Sequence, residues 1–193
     1  MQHDSQERKG KIATRHLVAV AFFVALTAVG AKIEIPLPYV PFTLQTLFVL
    51  LAGMLLGSRL GALSQLMYLV IGLIGVPVFA RGGGVGYILQ PTFGYLVGFV
   101  PAAYVVGALV EGKKEIRFFY ALVTSLCGLL IVYLFGLTYL WICTNFILGK
   151  DLNLMQTVKV GFLLLLPGAA VKAVSSALIG IEVRRRLMNI VRM

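Results

Sequence analysis

From Phe118 to Leu148 the chain carries no charged residue. Drawn as one helix at ~1.5 Å per residue, that stretch overshoots the ~30 Å hydrocarbon layer of a bilayer. It therefore requires a strong tilt or a piece of chain that leaves the apolar region. Five more apolar segments accompany it: His16 to Ala31, Thr43 to Gly57, Leu60 to Gly75, Tyr87 to Val110 and Val160 to Val183. The Thr43 and Leu60 segments are at or below the usual minimum for a span, so each draws on flanking residues or a shallow tilt. Only 12% of the 193 residues are charged, against about 25% in a soluble domain. The expected fold is an all-α integral membrane protein, a six-transmembrane-helix bundle. Residues 16–186 form its single domain, between tails at 1–15 and 187–193.

Charge sets the expected orientation. With both termini cytoplasmic, the inner side holds Arg8, Lys9, Lys11, Arg15, Arg59, Lys113, Lys114, Arg117, Arg184, Arg185, Arg186 and Arg192. The outer side holds Lys32, Arg81, Lys150 and Lys159. Twelve basic residues against four satisfy the positive-inside rule. The same asymmetry assigns the net charge of +10 to a membrane surface and argues against nucleic acid as a partner.

Several function classes are excluded by residue chemistry. No GxxxxGK[ST] loop occurs, so an ATP-driven activity needs its motor on another chain. His3 and His16 form no metal-ligand cluster, and Cys127 and Cys143 read as small apolar residues within one span. No nucleophile–base–acid set is present, which disfavours an enzyme. The polar start, MQHDSQERKGKIATRH, does not read as a cleaved signal, so the first helix is expected to stay.

One residue resists burial in lipid. Lys172 lies inside Val160–Val183, about 18 Å along a helix from the cluster that begins at Arg184. A lysine stem cannot snorkel that far, so the ammonium needs an internal partner, water or an anionic ligand. Pairing with a neighbouring helix, or a shallower position, is the structural alternative. Two irregular loops belong on the outer side. Gly30–Pro41 holds Pro36, Pro38 and Pro41, which forbid a continuous helix. Gly75–Pro91 holds Gly82, Gly83, Gly84 and Gly86, which allow close backbone approach to a ligand or serve as a hinge.

Together these features outline an outward-opening pocket. Its candidate lining is Lys172 with Gln45, Tyr39, Gly84, Tyr87, Gln90, Tyr139 and Asn145. The glutamines and tyrosines also suit a headgroup interface, and Asn145 also suits helix capping or helix–helix contact. A small amphipathic carboxylate fits this set: Lys172 for the anion, amides for the polar end and aromatics for the apolar body.

The chain resembles the BioY family, the biotin-binding membrane subunits (S components) of energy-coupling-factor (ECF) vitamin transporters. The resemblance covers nearly everything after the N-terminal tail. It is carried by Ala28–Gln45 (AVGAKIEIPLPYVPFTLQ), Val49–Gly57 (VLLAGMLLG), Gly75–Ala80 (GVPVFA), Gly82–Tyr87 (GGGVGY), Pro91–Phe99 (PTFGYLVGF) and Pro167–Lys172 (PGAAVK). It implies a six-helix vitamin-capture subunit whose first outer loop acts as a lid. It also implies a transmembrane coupling protein and two cytoplasmic ATPase subunits as partners, with Ala21 and Ala25 on the first helix at the coupling interface. Lys172 matches the lysine on the carboxylate side of the vitamin. The family often carries an aspartate where this sequence has Ala169. That departure leaves open another small carboxylate or vitamin as ligand. A helical scaffold without a ligand is the remaining alternative.

Overall fold

A computed structural model describes residues 2–37, 39–113 and 115–191, with side chains over 14–186 of those. Pro38 and the side chains of His3, Arg8, Lys9, Lys11, Lys114 and Arg192 lie outside the described residues. Helix α1 (Gln2–Lys32) leads to two short strands, β1 (Glu34–Ile35) and β2 (Phe42–Thr43). They pair antiparallel, Glu34 opposite Thr43 and Ile35 opposite Phe42, and draw the proline-rich loop between them into a flap. The prolines cannot continue α1, and the pairing satisfies part of the backbone they release.

Helix α2 (Gln45–Leu73) covers both short apolar segments, with one break at Gly57, where φ is 81° and ψ is −175°. A methyl group at Gly61 would stand 3.0 Å from the carbonyl oxygen of Ala52 and 3.0 Å from Gly53 Cα. In a straight helix, residues eight positions apart are separated by ~12 Å. The chain therefore folds back at Gly57, and the halves of α2 pack on each other. Only glycine reaches this backbone conformation without strain.

The remaining elements are α3 (Phe93–Val110), α4 (Phe118–Ile142), α5 (Leu154–Gly161) and α6 (Leu166–Val191). The Tyr87 segment is not helical from its start, since Val85–Leu89 is a 3₁₀ turn and α3 begins beyond Pro91. The long charge-free stretch ends in a π turn, Cys143–Ile147. The last segment is interrupted at Phe162, with φ −133° and ψ −63°, so Val160–Val183 is not one helix. Pro167 sits in the first turn of α6, where its missing N–H costs no helical bond. Before the interruption, Asn153 and Gln156 form a reciprocal capping box at the start of α5.

Five described helical stretches are long and apolar enough to cross a membrane: Thr14–Lys32, Gln45–Leu73, Phe93–Val110, Phe118–Ile147 and Leu154–Arg186. The chain is a mostly helical, multi-pass protein of the cell membrane. Five such stretches stand against the six expected segments because the break at Gly57 in LGSRLG lies inside one of them, Gln45–Leu73.

Two clusters of contacts mark the ends of the bundle. At one end Arg184 donates to the carbonyls of Met54 (3.1 Å), Val110 (2.9 Å) and Lys113 (2.8 Å). The Ser58 hydroxyl donates to Glu111 there at 2.6 Å. At the other end Lys32 donates to the Phe79 carbonyl at 2.9 Å. Lys150 Nζ also lies 5.5 Å from the Tyr39 ring centroid at that end.

Arg184, assigned by sequence to the basic inner tail, gathers carbonyls that end two helices. Arg184→Ala is expected to lower stability by about 1–3 kcal/mol, because those carbonyls lose a charged donor in a partly buried place. Arg184→Lys should restore little, since an ammonium lacks the fork. Thermal unfolding in detergent reads this out; an unchanged midpoint in Arg184→Ala would contradict the clamp.

Candidate functional site

Lys172 is 5% exposed, one turn and a half into α6. Its Nζ donates to the Thr43 carbonyl at 3.1 Å and lies 4.2 Å from the centroid of the Phe42 ring. That ring can lie against α6 because position 168 is glycine: a Cβ there would come within 2.0 Å of Phe42 Cε2. The ion pairs among the described residues are Glu182 with Arg185 and Arg186, and none involves Lys172. A buried ammonium held by one carbonyl and one ring is poorly compensated for leaving water.

Beside it, Gln45 (4% exposed) accepts from the Thr43 hydroxyl at 2.9 Å and donates to the Tyr68 hydroxyl at 2.6 Å. Tyr68, fully buried, donates in turn to the Val78 carbonyl at 2.9 Å. A chain of hydrogen bonds thus runs from Lys172 through β2 and α2 to the loop after α2. Lys32 reaches the same loop at Phe79. The loop after α2 is thus tied to the bundle by the buried Tyr68 hydroxyl and to the end of α1 by Lys32.

These residues border a narrow cavity of about 50 Å³. Val40 to Thr43 and Ala80 stand on its loop side, with Gln45 and Thr46 from α2 and Tyr95, Leu96 and Phe99 from α3. Val132 and Tyr133 come from α4, and Leu165 and Lys172 close the circuit. Tyr87 and Thr92 complete it. Tyr87 packs against Phe79 at 4.6 Å between centroids, and Tyr133 sits edge-on to Phe162 at 5.0 Å. One cation, a few amide and hydroxyl groups, and aromatic walls suit a small ligand with an anionic end and an apolar body.

Of the residues singled out by sequence, Lys172, Gln45 and Tyr87 line this cavity. The others stand outside its wall. Tyr39 has φ of +66° and lies next to the lining residue Val40, with its ring beneath Lys150. Gly84 (φ +98°) donates its N–H to the Gly72 carbonyl at 2.7 Å and so shapes the loop. Gln90 uses its backbone, donating to Tyr87 and accepting from Phe93, to join the 3₁₀ turn to α3. The Tyr139 hydroxyl donates to the Ile88 carbonyl, and its side chain borders an outer groove between α3 and α4. Asn145 pins the following loop, donating to the Leu152 carbonyl (3.0 Å) and accepting its N–H (2.8 Å).

Sequence reasoning did not single out Phe42, Thr43, Thr46, Tyr95, Phe99 or Tyr133. Four of these lie within the quoted Ala28–Gln45 and Pro91–Phe99 motifs, so a signal was present there. Thr46 and Tyr133 sit in unbroken apolar stretches with no local mark. On α1, Ala21 and Ala25 lie on the exposed face, with Leu17, Val18 and Phe22.

A profile of the BioY family matches residues 3–189. The chain belongs to the BioY family. A probable biotin transporter BioY from Lysinibacillus sphaericus is 47% identical over 167 residues, covering 86% of this chain and 85% of that one. The biotin transporter BioY of Thermotoga maritima is 38% identical over 172 residues, covering 89% and 96%. A crystal structure of the S-component for biotin from an ECF-type ABC transporter superposes with a TM-score of 0.80 at 26% identity, covering 91% of this chain and 93% of that one. Ala169 is 3% exposed in the core, three positions before Lys172. This BioY-family chain thus offers Lys172 no carboxylate one turn away.

Proposed function

We propose that the chain captures biotin at the outer face of the cell membrane, as the substrate-binding subunit of an ATP-driven ECF-type vitamin transporter. The observation that carries the proposal is a buried lysine, without an ion pair among the described residues, bordering an aromatic cavity in a BioY-family chain. In this reading the valerate carboxylate replaces the Thr43 carbonyl as the partner of Lys172. Gln45 meets a polar group of the ligand, and Tyr87, Tyr95 and Phe99 cover its apolar body. Tyr39, Gly84, Gln90, Tyr139 and Asn145 then serve binding by holding the loops that close over the ligand.

The same reading counts the halves of α2 as two crossings, giving a single six-span bundle over residues 16–186 with both termini cytoplasmic. The Arg184 end faces inward, and the Lys32 and Lys150 end faces out. Ala21 and Ala25 meet a transmembrane coupling protein, and two cytoplasmic ATPase subunits supply the energy. The chain itself binds and reorients, with no covalent chemistry.

Ala169 favours keeping a second reading, an S component for another small carboxylate. A calorimetric panel of biotin, lipoate, riboflavin and thiamine separates the two. Biotin is expected to bind at least about a hundredfold more tightly than the rest, a difference of about 2.7 kcal/mol. Tightest binding of lipoate would establish the second reading, and equal binding of cationic thiamine would overturn both.

A further inference from the structure

The cavity beside Lys172 is smaller than the ligand its walls suit. Its volume of about 50 Å³ holds one or two waters at ~30 Å³ each, whereas small-molecule pockets start at about 300 Å³. A wall has to yield before a ligand enters. The helical walls are locked through their backbones. A Cβ at Gly53 would stand 2.6 Å from the Ala103 carbonyl oxygen, and one at Gly98 3.1 Å from Val132 Cα, so α2, α3 and α4 meet with no side chain between them. Strand β2 is held more lightly. Two residue pairs join it to β1, and the Leu44 N–H beyond it reaches the carbonyls of Gly30 (3.1 Å) and Ile33 (3.2 Å). On α6 it meets Lys172, which donates to the Thr43 carbonyl at 3.1 Å and lies 4.2 Å from the centroid of the Phe42 ring.

Both contacts with α6 occupy the cation. The Thr43 carbonyl stands where an anion would bond, and the Phe42 ring covers the ammonium. A strand that satisfies the cation in this way competes with an anionic ligand for it. Gly168 permits the second contact. The three atoms nearest a Cβ at that position all belong to the Phe42 ring, at 2.0, 2.4 and 2.9 Å. A methyl group there would push a rotatable ring off α6 and would leave Lys172 itself unchanged.

We propose that β2 is an autoinhibitory strap: Phe42 and the Thr43 carbonyl close the site by engaging Lys172, and the strap releases before an anionic ligand enters. This regulation rests on the capture function proposed above. Only the released fraction is competent to bind, so association scales with that fraction. A ring–ammonium contact away from water is worth about a 3- to 30-fold shift in such an equilibrium. The test compares the parent, Gly168→Ala and the control Gly86→Ala as full chains in detergent. Amide exchange of β1 and β2 is followed by mass spectrometry without ligand, and biotin association by stopped-flow fluorescence. In Gly168→Ala both the exchange and the association are expected to be about 3- to 30-fold faster than in the parent, with Gly86→Ala at the parent values. If Gly168→Ala does not fold, Phe42→Ala removes the same ring and carries the same expectation. Unchanged exchange, or biotin association no faster than the parent's, would overturn the strap; a methyl group that merely damaged the site would slow association. A parent that fails to bind biotin overturns the function proposed above, and the exchange comparison then decides the strap by itself.

Discussion

Lys172→Met is expected to weaken biotin binding by about 30-fold to several thousandfold while leaving the empty protein at least as stable as the parent. The first effect follows from removing one partner of a buried, charge-assisted contact, which costs about 2–5 kcal/mol. The second follows from what Lys172 lacks. Its Nζ has one carbonyl and one ring, with no ion pair among the described residues. An ammonium so placed gives up hydration for little return, whereas methionine fills the same volume without a charge to desolvate. Calorimetry and thermal unfolding on one preparation read both effects. A purely structural lysine would show the opposite pattern, a lower unfolding midpoint with unchanged affinity.

Gly107→Ala is expected to destabilise the bundle by about 3 kcal/mol or more. A Cβ at 107 would fall 2.3 Å from Gly57 C, 2.3 Å from Ser58 N and 2.5 Å from Ser58 Cα. These are main-chain atoms of the α2 turn, so no side chain can rotate aside, and the helices themselves must separate. Close approach through small residues is the usual basis of helix packing in a bilayer. Gly86→Ala is the matched control, because nothing lies within 4 Å of its Cβ position and its φ is ordinary. Its midpoint should stay at the parent value. Equal midpoints for the two variants would contradict the packing of α3 against the reversal in α2.

The apolar segments were legible because lipid imposes length and composition together, and their order along the chain survives in the structure. Their ends were less legible. The Tyr87 segment contains no charge to halt a helix, yet Pro91 and the turn before it delay α3 to Phe93. Phe162 interrupts the last segment although nothing in VGFLLLLPG except Pro167 announces it. Gly57 ends the second segment by a reversal of one residue, with helix on both sides of it. Lys172 stood out because an intramembrane charge is costly wherever it lies. Polarity alone marks Tyr139 and Asn145 in the sequence, and polarity serves loop anchoring as readily as ligand contact. Thr46 and Tyr133 could be found only once three helices had been brought around one space.

The most direct measurement is calorimetric titration of parent and Lys172→Met with biotin and with its carboxamide. The parent is expected to prefer biotin by at least about a hundredfold, and that preference should shrink to within about threefold in the variant. Equal affinity of the parent for acid and amide, or a preference that survives in Lys172→Met, would contradict a carboxylate held by the buried ammonium.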